Sequence, residues 1–181
     1  KYYLVNSHFH CPTEHHLNGT EYDCELHLVH QRSVIEEDVD QNNYLVIGIL
    51  FQAKENANTN LIADENASID LNEFLSQSRQ YFYYKGSLTT PPCSPSVNWL
   101  VLNQVIDASP SQIQSLKTWI NSVYNYNIGN DRDVQKVNSR TVALLSYSKK
   151  DSEAMYFSST EKLSFGCIFI VVLTMLSVFM M

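Results

Sequence analysis

The alternation of apolar and polar residues along the chain predicts a protein built mainly of β-strands. Residues 3–10 and 21–30 both alternate with a period of two, as strands with one buried face do. The polar stretch between them contains Asn18-Gly19, a dipeptide typical of a tight hairpin turn. Further strands are predicted at the apolar runs 44–52 and 98–106 and at the shorter stretch 141–148.

Helical spacing of apolar residues occurs in two short segments. The first is 69–80, where apolar residues recur every three or four positions. The second begins at Ser109, which suits the N-cap, with Pro110 in the first helical position, and it runs to about Val123. Mostly strands with a few peripheral helices predicts a mainly β (β-rich α+β) fold with a large, mostly antiparallel, twisted central sheet.

The C-terminal segment from Leu163 to Met181 has no charged side chain and no polar face. A buried core helix would normally show a polar face, so this interpretation is disfavoured. Two membrane interpretations remain open. One is a single membrane-crossing helix, since the segment is close to the ~30 Å hydrocarbon thickness when helical. The other is a lipid-anchor signal of the glycosylphosphatidylinositol (GPI) type, which is cleaved off.

We favour the lipid anchor, because small residues at Ser152 to Ala154 precede a polar spacer and then the apolar tail. Ser152 is the candidate attachment residue. The chain is therefore expected to divide into a folded domain at 1–148, a polar tether at 149–162 and an anchor or anchor signal at 163–181.

Composition narrows the function classes. The 181 residues include 12 Lys and Arg against 19 Asp and Glu, a net charge of −7, so no basic face for nucleic acid is expected. A hydrophobic content of 44% with 17% charged residues excludes a disordered chain. Asn18 and Asn66 begin glycosylation sequons, which fits export and a location on the extracellular face of a membrane.

Histidines are concentrated in one region, because all six lie between His8 and His30. His8 and His10 point to the same face of a strand, as do Glu25 and His27 on the next. If the two strands pair, three imidazoles converge, which with one open position is the arrangement of a catalytic zinc site. Glu25 is then a natural acceptor for the far nitrogen of His27.

The alternative is that these are ordinary strand histidines without a metal. If they do bind a metal, their spacing alone does not identify the reaction. The remaining three histidines are expected to have other roles. His30 lies on the opposite face of its strand, His15 is expected to be hydrogen-bonded in the core, and His16 is expected to be solvated.

Four segments together resemble the α-class carbonic anhydrases over most of residues 2–145. They are SHFHCPTEHH (7–16), ELHLVH (25–30), YYKGSLTTPPCSPSVNWLVL (83–102) and the pattern N-x-R-x-x-Q-x-x-N-x-R that begins at Asn130. The resemblance implies Zn²⁺ held by His8, His10 and His27, and reversible hydration of carbon dioxide to bicarbonate and a proton at a zinc-bound water.

The resemblance also implies roles for neighbouring residues. Thr89 would accept a hydrogen bond from the nucleophile and donate its own to Glu14, which orients the attack. Glu25 would orient His27, Asn6 would lie beside His8, and the backbone carbonyl of Asn130 would hold His10. The apolar substrate pocket would be formed by Val29, Val46, Leu88, Thr90, Val97 and Trp99.

Three departures from the family pattern stand out. Asn6 replaces the usual Gln, and its shorter reach is expected to weaken the support of His8. Cys93 lies where secreted members carry a bonded cysteine, whereas Cys11 and Cys24 face away from the zinc and could pair if the register allows. Family domains begin well upstream of the first histidine motif, so N-terminal strands and the proton-shuttle histidine are expected to be missing.

These departures keep two alternatives open, a non-catalytic binding module of the same fold and an inactive fragment. Oligomeric state does not follow from the sequence.

Overall fold

Strands account for most of the residues that the structure describes. The structure is a computed structural model and describes residues 2–32, 43–57, 68–70, 74, 80–124, 129–146 and 162–164. The elements are β1 (Tyr2–His10), β2 (Cys24–Arg32), β3 (Tyr44–Ala53), β4 (Ser68–Asp70), β5 (Gln80–Gly86), β6 (Val97–Ala108), α1 (Pro110–Tyr124), β7 (Ala143–Ser146) and β8 (Lys162–Ser164).

Six of the strands form one mixed sheet in the order β1-β2-β3-β6-β5-β7. All neighbours are antiparallel except β3 and β6, which run parallel. Strands β4 and β8 pair antiparallel in a separate two-stranded sheet. The predicted fold class, mainly β with a mostly antiparallel sheet, is confirmed.

The period-two pattern separates the central sheet into two apolar faces. One face packs against α1, whose residues Ile113, Leu116 and Ile120 are buried against it. The opposite face carries a second buried cluster and, next to it, the predicted histidine cluster. That second cluster contains Val29, Val46, Leu50, Val97, Trp99 and Val101.

The β1–β2 connection agrees with its turn signal. Leu17 and Thr20 exchange backbone hydrogen bonds across a two-residue turn at Asn18 and Gly19, whose φ angles are 54° and 80°. An Asn-Gly pair adopts such angles at low cost, which explains the sharp reversal. Asn18 is exposed at the tip of this turn.

Helix α1 begins where its cap predicts. The Ser109 hydroxyl accepts a hydrogen bond from the backbone N–H of Gln112 at 3.3 Å. The helix then runs from Pro110 to Tyr124. The sequence prediction, which ended it near Val123, is confirmed.

The helix predicted at 69–80 is too long at both ends, and Gln80 is the first residue of β5. Ile69 and Asp70 lie in strand β4, which pairs with β8, so pairing with a distant segment overrides the local helical spacing. Phe74 is helical, and 71–73 and 75–79 lie outside the described residues. Lys162, from the predicted tether, and Leu163 and Ser164, from the predicted anchor segment, form β8. The division into domain, tether and anchor stays a prediction.

Some sequence expectations fall outside the described residues. These are the sequon at Asn66, the attachment candidate Ser152 and nearly all of the apolar segment at 163–181. Among the described residues, no helix combines the length and hydropathy needed to span a bilayer.

Asp23 connects three elements at the base of the sheet. Its carboxylate accepts a hydrogen bond from the Ala53 N–H at 2.8 Å and one from the Lys117 ammonium of α1 at 2.7 Å. Burial acts to raise the pKa of Asp23, but Lys117 and the Ala53 N–H outweigh it and hold the pKa below its usual value. The ionised carboxylate therefore stabilises the fold.

We expect Asp23→Asn to lower the free energy of unfolding by about 1 kcal/mol at pH 7, since a charge-assisted contact at a partly exposed site is lost. A depressed pKa in the folded state contributes stability above the unfolded pKa, and this contribution is lost as pH falls through the folded value. The difference between parent and variant should therefore shrink as the pH falls below about 4. Urea unfolding at several pH values measures it, and a difference that stays constant with pH would contradict this assignment.

Candidate metal centre

Three imidazoles meet on the face of the sheet opposite α1. His8 and His10 lie on β1, and His27 lies directly across from His8 on β2. The ring centroids are separated by 5.0 Å (His8 to His10), 5.2 Å (His8 to His27) and 4.7 Å (His10 to His27). One ring nitrogen of each lies within 4.8 Å of the other two, close enough to share a metal ion.

Each imidazole is oriented by an acceptor behind it. His8 donates from Nδ1 to the Asn6 side-chain oxygen at 2.7 Å, and His10 donates from Nδ1 to the Asn130 carbonyl at 2.8 Å. His27 donates from Nε2 to Glu25 at 2.9 Å. These acceptors fix the tautomers, so His8 and His10 present Nε2 to the cluster and His27 presents Nδ1.

Two observations bear directly on metal binding. The Nε2 atom of His10 is buried and has no hydrogen-bond partner, as a ligand atom would without its metal. Burial, followed by the neighbouring imidazoles, lowers the pKa of His8 well below its usual value and that of His10 to about 3. Both imidazoles are therefore neutral near pH 7, which is the form that coordinates a metal.

Asn6 forms the predicted contact with His8, and whether it supports the ring less firmly than Gln stays a prediction. The Asn6 side chain reaches His8 in spite of being shorter than Gln. The pairing of β1 with β2 shifts register between Leu4 and Asn6, so Asn6 lies beside a bulge. A bulge re-aims a side chain, and we attribute the reach of Asn6 to it.

Glu25 is fully buried and accepts four hydrogen bonds. Its Oε2 accepts from the backbone N–H groups of Glu14 and His15 at 3.1 and 3.0 Å. Its Oε1 accepts from the His15 and His27 rings at 2.6 and 2.9 Å. Burial acts to raise the pKa of Glu25, but the two histidines outweigh it and hold the pKa well below its usual range.

His15 is placed between Glu25 and Tyr84, whose hydroxyl lies 2.7 Å from its Nε2. Burial acts to lower the pKa of His15, but the Glu25 carboxylate outweighs it and the pKa is raised. His15 is thus a hydrogen-bonded interior residue, as the sequence suggested. His30 lies on the face of β2 opposite His27, and its Nδ1 donates to the Leu28 carbonyl. His16 is half-buried, and its Nε2 lies 3.4 Å from Oε1 of Glu21.

Glu14 and Thr89 are brought together from separate segments. The Thr89 side chain interacts with the Glu14 carboxylate, and the backbone N–H of Arg132 donates to Glu14 Oε1 at 2.9 Å. Burial raises the pKa of Glu14, while His27, Thr89 and the Arg132 N–H act in the opposite direction. Glu14 and Thr89 are therefore neighbours, and their role in orienting a nucleophile stays a prediction.

The loop that carries Thr89 is held from two sides. The Trp99 indole N–H donates to the Ser87 carbonyl at 3.1 Å. The Arg132 guanidinium lies 3.3 Å from the Ser87 hydroxyl and 3.5 Å from the Leu88 carbonyl. Arg132 therefore ties Glu14 and the Thr89 loop to one another.

The predicted apolar pocket residues occupy neighbouring positions with one exception. Val29 pairs with Val46 across β2 and β3, and Val46 pairs with Trp99 across β3 and β6. The second apolar cluster contains these residues and Val97, with Leu88 packed against it. Thr90 is exposed in the loop and does not join them.

Sequence reasoning missed three residues that support the site, namely Gly48, Tyr84 and Arg132. A Cβ atom at Gly48 would lie 2.6 Å from Glu25 Oε1, so only glycine fits opposite His27. A lone glycine within a run of branched residues was the available signal. Tyr84 and Arg132 stood within quoted motifs, but nothing local indicates their partners.

Residues 1–146 match the sequence profile of the family described as eukaryotic-type carbonic anhydrase. A carbonic anhydrase of Nostoc sp. is 36% identical over 155 residues, covering 78% of this chain and 53% of the relative. Alpha carbonic anhydrase 4 of Arabidopsis thaliana is 35% identical over 150 residues, covering 77% and 52%.

Among solved structures, alpha-carbonic anhydrase from Thermovibrio ammonificans in complex with the inhibitor sulfanilamide superimposes with a TM-score of 0.62. It is 32% identical, and the match covers 78% of this chain and 62% of that one. The chain thus spans about half the length of the curated relatives it matches.

We expect Gly48→Ala to disturb the centre through Glu25. The new methyl group meets a carboxylate that four hydrogen bonds hold in place, so the strand or the carboxylate must shift. The expected effects are a loss of about 2 kcal/mol in unfolding free energy and a roughly tenfold weaker affinity for Zn²⁺. Chemical denaturation and competition with a chromophoric chelator measure the two.

Ile49→Val is the matched control, because Ile49 is the next residue of β3 and is buried on the opposite face. It should cost about 1 kcal/mol and leave the affinity for Zn²⁺ unchanged. Equal loss of metal affinity in both variants would mean that Gly48 acts through general stability.

Proposed function

The chain belongs to the eukaryotic-type carbonic anhydrase family, and we propose that it forms the zinc-binding part of an enzyme that hydrates carbon dioxide reversibly to bicarbonate and a proton. The observation that carries the proposal is the convergence of three oriented imidazoles, with the Nε2 of His10 buried and unpartnered. Because the chain spans about half the length of its relatives, the activity proposed is that of the whole protein.

The donor set fits Zn²⁺. Three neutral imidazole nitrogens leave the fourth tetrahedral position open, which is typical of catalytic rather than structural zinc. His8, His10 and His27 would hold the ion, and Asn6, Asn130 and Glu25 would keep their rings in place. When bound, Zn²⁺ lowers the pKa of a coordinated water to ~7 and so supplies a nucleophile at neutral pH.

Glu14 and Thr89 would orient that nucleophile. Burial raises the pKa of Glu14, while the Arg132 N–H and the Thr89 hydroxyl favour its ionised form. In that ionised form the carboxylate has no proton to give. The Thr89 hydroxyl must then donate to Glu14, and its oxygen remains free to accept from the nucleophile. The gain is orientation of the attacking lone pair.

The apolar cluster beside the centre suits a nonpolar substrate. Val29, Val46, Val97 and Trp99 are each at least nine-tenths buried and present few polar atoms. Trp99, on the edge of this cluster, lines a cavity together with Glu14 and Thr89, so carbon dioxide would meet the cluster there without displacing strongly bound water. The acidic net charge of −7 agrees with a small neutral substrate and not with nucleic acid.

Two alternative functions predict a different zinc content or hydration rate. A non-catalytic binding module would not need the complete set of three histidines, Glu14 and Thr89 that this chain carries. An inactive fragment would bind zinc without turnover. Zinc content and hydration rate, measured on the same preparation, separate these alternatives from the proposed enzyme.

We propose further that the protein is exported and attached to the extracellular face of a membrane through its uncharged C-terminal segment. The disulfide between Cys11 and Cys24 supports an oxidising compartment, and the exposed sequon at Asn18 is compatible with one.

A phosphatidylinositol-specific phospholipase should release the protein from intact cells into the medium. Release is expected because a lipid anchor leaves the folded part outside the bilayer once the lipid is cut. A mature protein that still ends at Met181 would contradict the lipid anchor, and so would retention on the membrane after treatment.

We expect His27→Ala to abolish zinc binding and carbon dioxide hydration together in the full-length protein, because one of three ligands is removed. Metal analysis and stopped-flow hydration assays measure the two. Undiminished hydration in His27→Ala would refute the ligand assignment.

Thr89→Ala should retain the zinc but lower kcat about 100-fold, because an orienting hydrogen bond is removed while the ligands remain. The same two assays measure this outcome.

Thr89→Ser is the matched control, since it keeps the hydroxyl and removes only a methyl group. It should recover most of the rate lost in Thr89→Ala. Loss of zinc from Thr89→Ala would show that the residue has a structural role instead.

A further inference from the structure

A disulfide lies beside the metal centre, at the place where its two strands meet the connecting loop. Cys11 follows His10 at the end of β1, and Cys24 precedes Glu25 at the start of β2, and the two are bonded. In the β-ladder His10 pairs with Glu25. The disulfide is therefore the next cross-link after the last ladder pair, and each half-cystine adjoins a residue of the centre.

We propose that the Cys11–Cys24 disulfide is a positioning element of the metal centre, which keeps His10 and His27 at ligand distance and slows the loss of the metal. This inference rests on the proposed function, because it takes the three imidazoles to be zinc ligands. The role is distinct from general stabilisation, since it predicts an effect on the metal that an equally destabilising change elsewhere does not have.

On the β1 side, Cys11 and His10 are held by the same residue. The Cys11 N–H donates to the Asn130 side-chain oxygen at 3.0 Å, while the Asn130 carbonyl accepts from His10 Nδ1 at 2.8 Å. The Asn130 amide also donates to the Phe9 carbonyl at 2.9 Å. A displacement of Cys11 would therefore be transmitted to the ring of His10 through Asn130.

On the β2 side, Cys24 is fully buried next to Glu25, whose carboxylate fixes His27. The disulfide closes the loop at 12–23, and this loop supplies the Glu14 and His15 N–H groups that bond to Glu25. With the loop closed, these donors have little freedom to leave the carboxylate. The orientation of His27 then depends on a loop whose two ends are covalently joined.

The segment around Asn130 packs closely against the residues that follow His10. Gly129 precedes Asn130, and a Cβ atom there would lie 2.6 Å from the Cys11 carbonyl oxygen and 2.9 Å from Pro12. The chain around Asn130 is thus in direct contact with the residues after His10. Covalent closure on one side and this contact on the other leave Cys11 little room to move.

The test compares the parent chain with Cys11→Ala/Cys24→Ala, both in a Cys93→Ser/Cys167→Ser background that removes the other two cysteines of the sequence and so prevents thiol exchange. Alanine is preferred to serine because both half-cystines belong to the buried apolar cluster. Zn²⁺ release into excess chelator gives a dissociation rate, and the visible spectrum of the Co²⁺ form reports coordination geometry. We expect release to be at least tenfold faster and the Co²⁺ spectrum to change.

Leu116→Ala is the control for stability, because Leu116 is fully buried on α1 in the apolar cluster on the sheet face opposite the three histidines. It should lower Tm at least as far as the double variant and leave the release rate and the Co²⁺ spectrum as in the parent. If the double variant does not fold, Cys11→Val/Cys24→Ala restores apolar volume and takes its place.

The outcomes separate the two proposals. A parent that does not bind Zn²⁺ overturns the proposed function and this inference with it. A parent that binds Zn²⁺, with an unchanged release rate in the disulfide variant, overturns the inference alone. Equal acceleration in Leu116→Ala and the double variant overturns it too, because the disulfide would then act only through stability.

Discussion

The need to satisfy a fully buried carboxylate organises this site. Glu25 has no exposed surface, and an unpaired charge at such a position costs several kcal/mol. Its four hydrogen bonds come from His27 on its own strand and from Glu14 and His15 in the loop before that strand. The same bonds that satisfy the charge fix the His27 tautomer, place Glu14 and anchor the loop. They also require glycine at position 48.

The three histidines are oriented in the same way, each by a different hydrogen-bond acceptor. Each ring donates from one nitrogen to an oxygen behind it and offers the other nitrogen to the cluster. The carboxylate behind His27 is charged, whereas the amide behind His8 and the backbone carbonyl behind His10 are neutral, so only His27 donates to a full negative charge. Because burial keeps His8 and His10 neutral, no proton has to be displaced from either ring before a metal binds.

The sequence pattern predicted those strands and side-chain positions that depend only on neighbouring residues. Period-two alternation predicted β1 and β2, and continuous apolar runs predicted β3 and β6. The spacing of His8, His10 and His27 predicted their convergence. Strand β4 was missed because its pairing partner lies far along the chain, where local spacing has no information. Arg132 and Tyr84 were missed for the same reason, since their partners are 118 and 69 positions away. The roles of Glu14 and Thr89 came from family resemblance and not from periodicity.

The proposed metal ligands and the residues proposed to orient the nucleophile lie on different parts of the chain. The ligands and two of their three supporting acceptors lie within one hairpin, and only Asn130 comes from elsewhere. Thr89 lies in a loop that Trp99 and Arg132 hold, and Arg132 also bonds to Glu14. A disturbance of this second group leaves the hairpin contacts in place, so it would affect turnover before it affects metal content. Asn130 and Arg132 are separated by one residue, and that short segment links the two halves of the site together with Glu14, which bonds to both Glu25 and Arg132.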